Sequence, residues 1–188
     1  MLITILIGVA VVFALLLILI VTRPAEFRVS RSADMAATPA AVFAQLNDFH
    51  KWDAWSPWAK MDPNCKNSFE GPTSGEGAKF VWDGNSDVGA GNMTITESVP
   101  NDHVRLRLEF VRPFAGVSDT LFTIKPAGNK TNVTWTMSGK NGLLGKAISL
   151  FMNCEKMIGP QFEKGLASME AAAVAESNPG DVPEKPAT

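Results

Sequence analysis

Histidine and cysteine are scarce in this 188-residue chain, with two of each. Neither Cys65 nor Cys154 lies in a metal-ligand spacing, and His50 and His103 fall in predicted surface turns, so no zinc site is expected. A G-x-S-x-G elbow is missing, and neither cysteine has a histidine near it in a recognisable catalytic pattern. Positive charge is not concentrated anywhere. The 17 Lys and Arg are scattered among 19 Asp and Glu, which gives a net charge of −2 and excludes the electrostatic footprint of a nucleic-acid binder. No internal repeat is visible. The glycine-rich stretch 84–91 lacks the Lys-Ser/Thr of a phosphate loop and precedes a strand rather than a helix. Asp83, Asn85 and Asp87 begin like a calcium loop, but Val88 stands where its glycine belongs and Thr94 where its glutamate belongs. The stretch reads as a long β-hairpin with a bulge. No cofactor is expected.

What the chain does have is a long apolar run. Leu2 to Val21 holds one hydroxyl, Thr4, and no charge. Twenty residues rising about 1.5 Å each cross a bilayer core. No Lys or Arg precedes Arg23, and the exit Val21-Thr22-Arg23-Pro24 is not a small-x-small cleavage site. Residues 1–24 are therefore expected to be an uncleaved single-span anchor, held in the membrane through residues 2–21. Arg23, Arg28 and Arg31 follow the span, and the positive-inside bias then puts the soluble domain in the cytoplasm, as on a bacterial inner membrane.

Residues 25–176 make one domain of ordinary size. Residues 177–188, rich in proline and small polar residues, are expected to be disordered. Period-two alternation predicts strands at 26–35, 66–70, 78–83, 92–99, 102–110, 117–125 and 131–138. Turn chemistry at Gly84-Asn85, Pro100-Asn101-Asp102, Pro113 and Ala127-Gly128-Asn129 joins them as antiparallel hairpins. A short helix starts at Thr38-Pro39, with a hydroxyl cap and proline in the first turn. From Gly142 to about Ala175, Leu144, Ile148, Phe151, Ile158, Phe162, Leu166, Met169 and Ala173 form one apolar helical stripe. Gly159-Pro160 predicts a kink or break between a lead-in helix and the long terminal one. The fold class is α+β: a curved antiparallel sheet of six to seven strands around a C-terminal helix, plus one transmembrane helix.

Two features bear on chemistry. Trp52, Trp55 and Trp58 recur at steps of three, on one face of a helical turn. They either close one end of the sheet as packed aromatics or sit at a cavity mouth or membrane surface. Strict parity along 92–99 places Glu97 inward with Met93, Ile95 and Val99. A buried carboxylate needs a partner or a raised pKa, which makes Glu97 the candidate catalytic group, although no second inward acid pairs with it.

The element order resembles the helix-grip fold of the SRPBCC superfamily, which includes START lipid-transfer domains and polyketide cyclase/dehydrase proteins. The residues that carry the resemblance to the latter are 36–43 (AATPAAVF), Trp52 to Trp58 with Lys60-Met61-Asp62-Pro63, Gly89 to Glu97, Thr131 to Trp135, and Phe162 to Leu166. The resemblance implies a cavity for hydrophobic molecules between sheet and helix, and it implies no reaction. The expected cavity lining is Phe80, Trp82, Met93, Ile95, Glu97, Leu106, Leu108, Phe110, Phe122, Trp135, Met137, Phe162 and Leu166, with Trp52, Trp55 and Trp58 at the mouth. Three readings follow: a membrane-anchored module for a lipid or apolar metabolite, a cyclase- or hydratase-type enzyme using Glu97, and a packed protein-interaction scaffold.

Overall fold

The computed structural model describes residues 1–150 and 153–177. Phe151 and the expected tail from 178 onward lie outside the described residues. Helix α1 (Leu2–Val21) is long and apolar enough to cross a membrane, and it buries none of its side chains. Strand β1 (Glu26–Met35) follows directly, then α2 (Pro39–Asn47), a single 3-10 turn (Phe49–Lys51) and α3 (Trp52–Trp55). Six strands come next: β2 (Lys66–Glu70), β3 (Lys79–Asp83), β4 (Ala90–Val99), β5 (His103–Arg112), β6 (Gly116–Ala127) and β7 (Lys130–Lys140). The chain closes with α4 (Leu143–Ile148) and α5 (Cys154–Ser177).

All seven strands form one antiparallel sheet in the order β1-β7-β6-β5-β4-β3-β2. Short turns make β2 to β7 a meander, and β1 joins the free edge of β7. With α5 against the sheet, this is the helix-grip fold.

The local starts are as the residue types dictate. Thr38 caps α2 by accepting from the Ala41 amide at 3.2 Å, and Pro39 occupies the first turn. The expected break at Pro160 is not found. The lead-in helix ends at Ile148, and α5 runs unbroken through Pro160. Proline has no N–H and costs the helix one hydrogen bond, which the docking of α5 offsets. Buried Phe162, Leu166, Met169 and Ala173 supply that docking.

Gly159 is needed for a different reason. Arg31, on the inner side of β1, reaches Glu155 and Glu163 of α5 at 2.6 Å each. Positions 155, 159 and 163 are one helical turn apart on a single face. A Cβ on residue 159 would collide with the Arg31 guanidinium, so glycine leaves the space in which the ion pairs form. The far end of α5 is held by Glu170, which accepts from the Ala36 amide at 2.8 Å, and by Glu176, which binds Gln45 and Lys51.

Candidate functional site

Strand register sorts the inner face into rows. One row crosses Val29, Met137, Thr120, Leu106 and Ile95, and all five are buried. The neighbouring row holds Trp135 and Phe122. Against these pack Trp52, Trp55 and α5. Trp135 stacks on Phe162 with ring centroids 4.0 Å apart and planes 9° apart, and Phe122 lies 4.8 Å from Trp135. This half of the interior is solid. Ile95, Leu106, Phe122, Trp135, Met137, Phe162 and Leu166, all expected to line a cavity, pack here against one another as core.

The tryptophan expectation divides in the same way. Trp52 and Trp55 are 7% and 1% exposed, and their indole N–H groups donate to the backbone carbonyls of Leu46 and Gln45. They bind α3 to α2 as packed aromatics and do not form a mouth. Only Trp58 is half-buried, edge-on to both Trp135 and Phe162.

Moving toward the start of β1, the packing opens. Phe27, Leu108, Met93 and Phe80 share one row, and Phe110 and Trp82 lie in the next. All six are only partly buried. They make a half-covered apolar strip, termed the trough below, across β3, β4 and β5, with Phe27 on the far edge. Trp82 lies across Gly91, where any Cβ would meet the indole ring at 2.6 Å, and its N–H donates to the Val88 carbonyl. Cys154 and Ile158, on the first turns of α5, are also half-buried against the core. Phe27 was missing from the expected lining. The alternation of β1 puts Phe27 on the same face as buried Val29.

The polar groups on this inner face are few. Ser118 and Thr120 are buried hydroxyls of β6. The indole N–H of Trp135 is buried and has no hydrogen-bond partner among the described residues. Cys65 and Cys154 are unpaired thiols.

Glu97 is not among the inward groups. A bulge between Ile95 and Glu97 moves the register, so Glu97 stands opposite Arg105 on the outer face while Ile95 stands opposite Leu106 on the inner one. Its side chain is 47% exposed and binds Arg105 at 3.1 Å and His103 at 3.2 Å. Arg105 first, then His103, holds its carboxyl below the usual range. Sequence parity assumed an unbroken ladder, and one extra residue reversed it. The general acid/base role proposed for Glu97 within a cavity falls with that reversal.

The same outer cluster yields a titration prediction. His103 Nδ1 lies 2.5 Å from Asp102 and its Nε2 faces Glu97, so its pKa is raised, chiefly by Asp102. A raised folded-state pKa contributes stability below the unfolded value, and that contribution is lost as pH rises through the folded value. Its ring-proton resonances are expected to titrate above the ordinary histidine midpoint of about 6.5, and Asp102→Asn is expected to move the midpoint down more than Glu97→Gln. A midpoint at or below the ordinary value would show that the pairs do not form.

A cleft lies elsewhere, beside α5. An open cleft of about 490 Å³ separates the 54–61 segment from one flank of α5, lined by Trp55, Pro57, Lys60, Gln161 and Lys164 among others. None of the residues expected to line the ligand cavity borders it; of the expected mouth residues, Trp55 does.

Among solved structures, a Chromobacterium violaceum protein is similar over 80% of this chain and 97% of its own, at 15% identity and a TM-score of 0.56. The Aha1 dimer from Colwellia psychrerythraea is similar over 78% of this chain and 96% of its own, at 17% identity and a TM-score of 0.56. The di-domain ARO/CYC StfQ from the steffimycin biosynthetic pathway is similar over 81% of this chain and 52% of its own, at 9% identity and a TM-score of 0.58. At these identities the likeness establishes the fold. No curated protein matches. The family model described as polyketide cyclase/dehydrase and lipid transport matches residues 26–174, the whole span from the first residue of β1 almost to the end of α5. The chain belongs to the polyketide cyclase/dehydrase and lipid transport family.

Proposed function

We propose that this protein is a bilayer-anchored binding module for a lipid or other apolar small molecule, taken up in the trough of Phe27, Phe80, Trp82, Met93, Leu108 and Phe110. The observation that carries this reading is the exposure of those six side chains on the concave face, where the other rows are closed. Burying apolar surface is worth about 25 cal/mol per Å², and a row of half-covered aromatic and thioether groups gains it from any matching ligand. Such sites are mostly apolar, with a few polar groups that orient the ligand. Helix α1 serves the same purpose. Held in a bilayer, it keeps the trough where apolar molecules partition and raises their effective concentration.

The test is to fill the trough. Leu108→Trp and Met93→Trp place an indole in the open row without touching the Trp135 cluster. Full-length protein in lipid nanodiscs, titrated with a fluorescent fatty acid, is expected to lose affinity by about tenfold or more in either variant, equivalent to about 1.4 kcal/mol. Unchanged far-ultraviolet circular dichroism shows that the fold is kept. Wild-type protein that takes up neither this probe nor any co-purifying apolar molecule overturns the proposal. That outcome favours the scaffold reading, which the solid packing around Trp135 and Phe162 supports.

A further inference from the structure

The trough lies toward one particular end of the sheet, and the register identifies it. Glu26 pairs with Lys140, Phe110 with Gly116, Ala90 with Arg112, and Lys66 with Asp83. The start of β1, the end of β7 and the tip of the β5–β6 hairpin therefore share one rim. Only residues 22–25 connect α1 to β1, and fully extended the five steps from Val21 to Glu26 reach at most about 18 Å. The ammonium of Lys146 in α4 donates to the carbonyl of Val21 at 3.0 Å, which ties this rim to the last turn of α1.

The rim also carries the three most exposed large apolar side chains outside α1 among the described residues, Leu143 at 71%, Val111 at 62% and Phe114 at 53%, together with Val117 at 48%. Three of these four stand at the tip of the β5–β6 hairpin. Exposed apolar groups gathered in one place mark a contact surface rather than ordinary surface scatter. Around them, Arg23, Lys66, Lys140 and Lys146 have no carboxylate partner among the described residues. The acids of the rim are Glu26, Asp62, Asp83 and Asp87; Asp83 is already held by Arg112, and the buried Asp62 carboxylate accepts from the Asn85 and Asn64 amides. The rim is thus apolar at its tip and positive around it, the complement of an anionic headgroup layer over hydrocarbon.

We propose that this rim docks on the anionic surface of the bilayer that holds α1, with Val111, Phe114 and Val117 entering the interface, so that the row of Phe110 and Trp82 opens toward lipid. Docking rests on α1 being a membrane span. It assigns the β5–β6 hairpin a function, as the edge over which an apolar ligand passes between bilayer and trough without crossing water.

The test uses the full chain with Cys65→Ser and Cys154→Ser and a single new thiol, at Phe114→Cys or Val111→Cys on the rim, or at Asn129→Cys on the opposite β6–β7 turn. Each carries an environment-sensitive fluorophore and is reconstituted into vesicles of phosphatidylglycerol with phosphatidylethanolamine, with and without nitroxide-labelled lipid. At 114 and at 111 the expected result is blue-shifted emission that nitroxide lipid quenches. At 129 neither effect is expected. Added salt, or replacement of the anionic lipid by phosphatidylcholine, is expected to reduce the rim signal. If all three labels report water while the protein resists carbonate extraction, docking is overturned and the anchor stands. If carbonate extracts the protein, the anchor is overturned and docking with it. Quenching that is absent, but with a blue shift that grows with protein concentration, assigns the rim to a second copy of the chain and also overturns docking.

Discussion

Trp135→Ala is expected to destabilise the soluble domain by about 3–5 kcal/mol, the range for emptying a large aromatic site in a packed core. The geometry sets the size of the effect. Trp135 is 3% exposed, stacks face to face on Phe162 and contacts Phe122, Trp55 and Trp58 as well. Gly165 of α5 sits directly on the ring, since a Cβ there would be 2.8 Å from it. Deleting the indole therefore removes the surface on which α5 rests. A domain of this size loses about 2–4 °C of Tm per kcal/mol, so thermal melts should fall by about 6–20 °C. Trp135→Phe keeps a ring against Phe162 and removes the unpartnered N–H, and it should recover most of the loss. A change below about 1 kcal/mol in the alanine variant would mean that the cluster is not the support described.

Val12→Arg combined with Leu16→Arg is expected to release the protein from membranes. Each arginine near the centre of a span costs about 2.5–3.5 kcal/mol on insertion scales, so the pair costs about 5–7 kcal/mol. Because α1 buries no side chain against the domain, the melting temperature of the soluble part should not move. Carbonate extraction reads the effect, and N-terminal sequencing of the wild-type protein separates a retained span from a removed signal segment. Recovery of the wild-type chain without residues 1–21 would overturn the anchor reading.

The two variants probe different kinds of information. Strand positions, hairpin order and the α5 stripe were legible in the sequence because they follow from periods of two and 3.6 and from local turn chemistry. Two errors came from where local rules end. At Glu97 a single bulge reversed every side chain beyond it, and bulges leave no reliable trace in an alternating pattern. At Pro160 propensity predicted a kink or break, and the contacts of Phe162, Leu166 and Met169 carry the helix through it without a break. The inner face was legible in kind, and how much of it is covered was not. Inner-face residues were identified by parity, yet parity says nothing about how far the Trp52–Trp55 turn and α5 reach across them.

The sequence by itself determined an apolar span, an antiparallel meander and a terminal amphipathic helix, since each is written within a dozen or so neighbouring residues. Only the tertiary structure decided which half of the inner face is solid and which is half-covered, and that the half-covered part lies at the rim where β1 begins. Those facts depend on contacts between residues a hundred positions apart, such as Trp55 with Trp135 or Arg31 with Glu163. Close packing is a property of the assembled side chains and is not carried by any one segment.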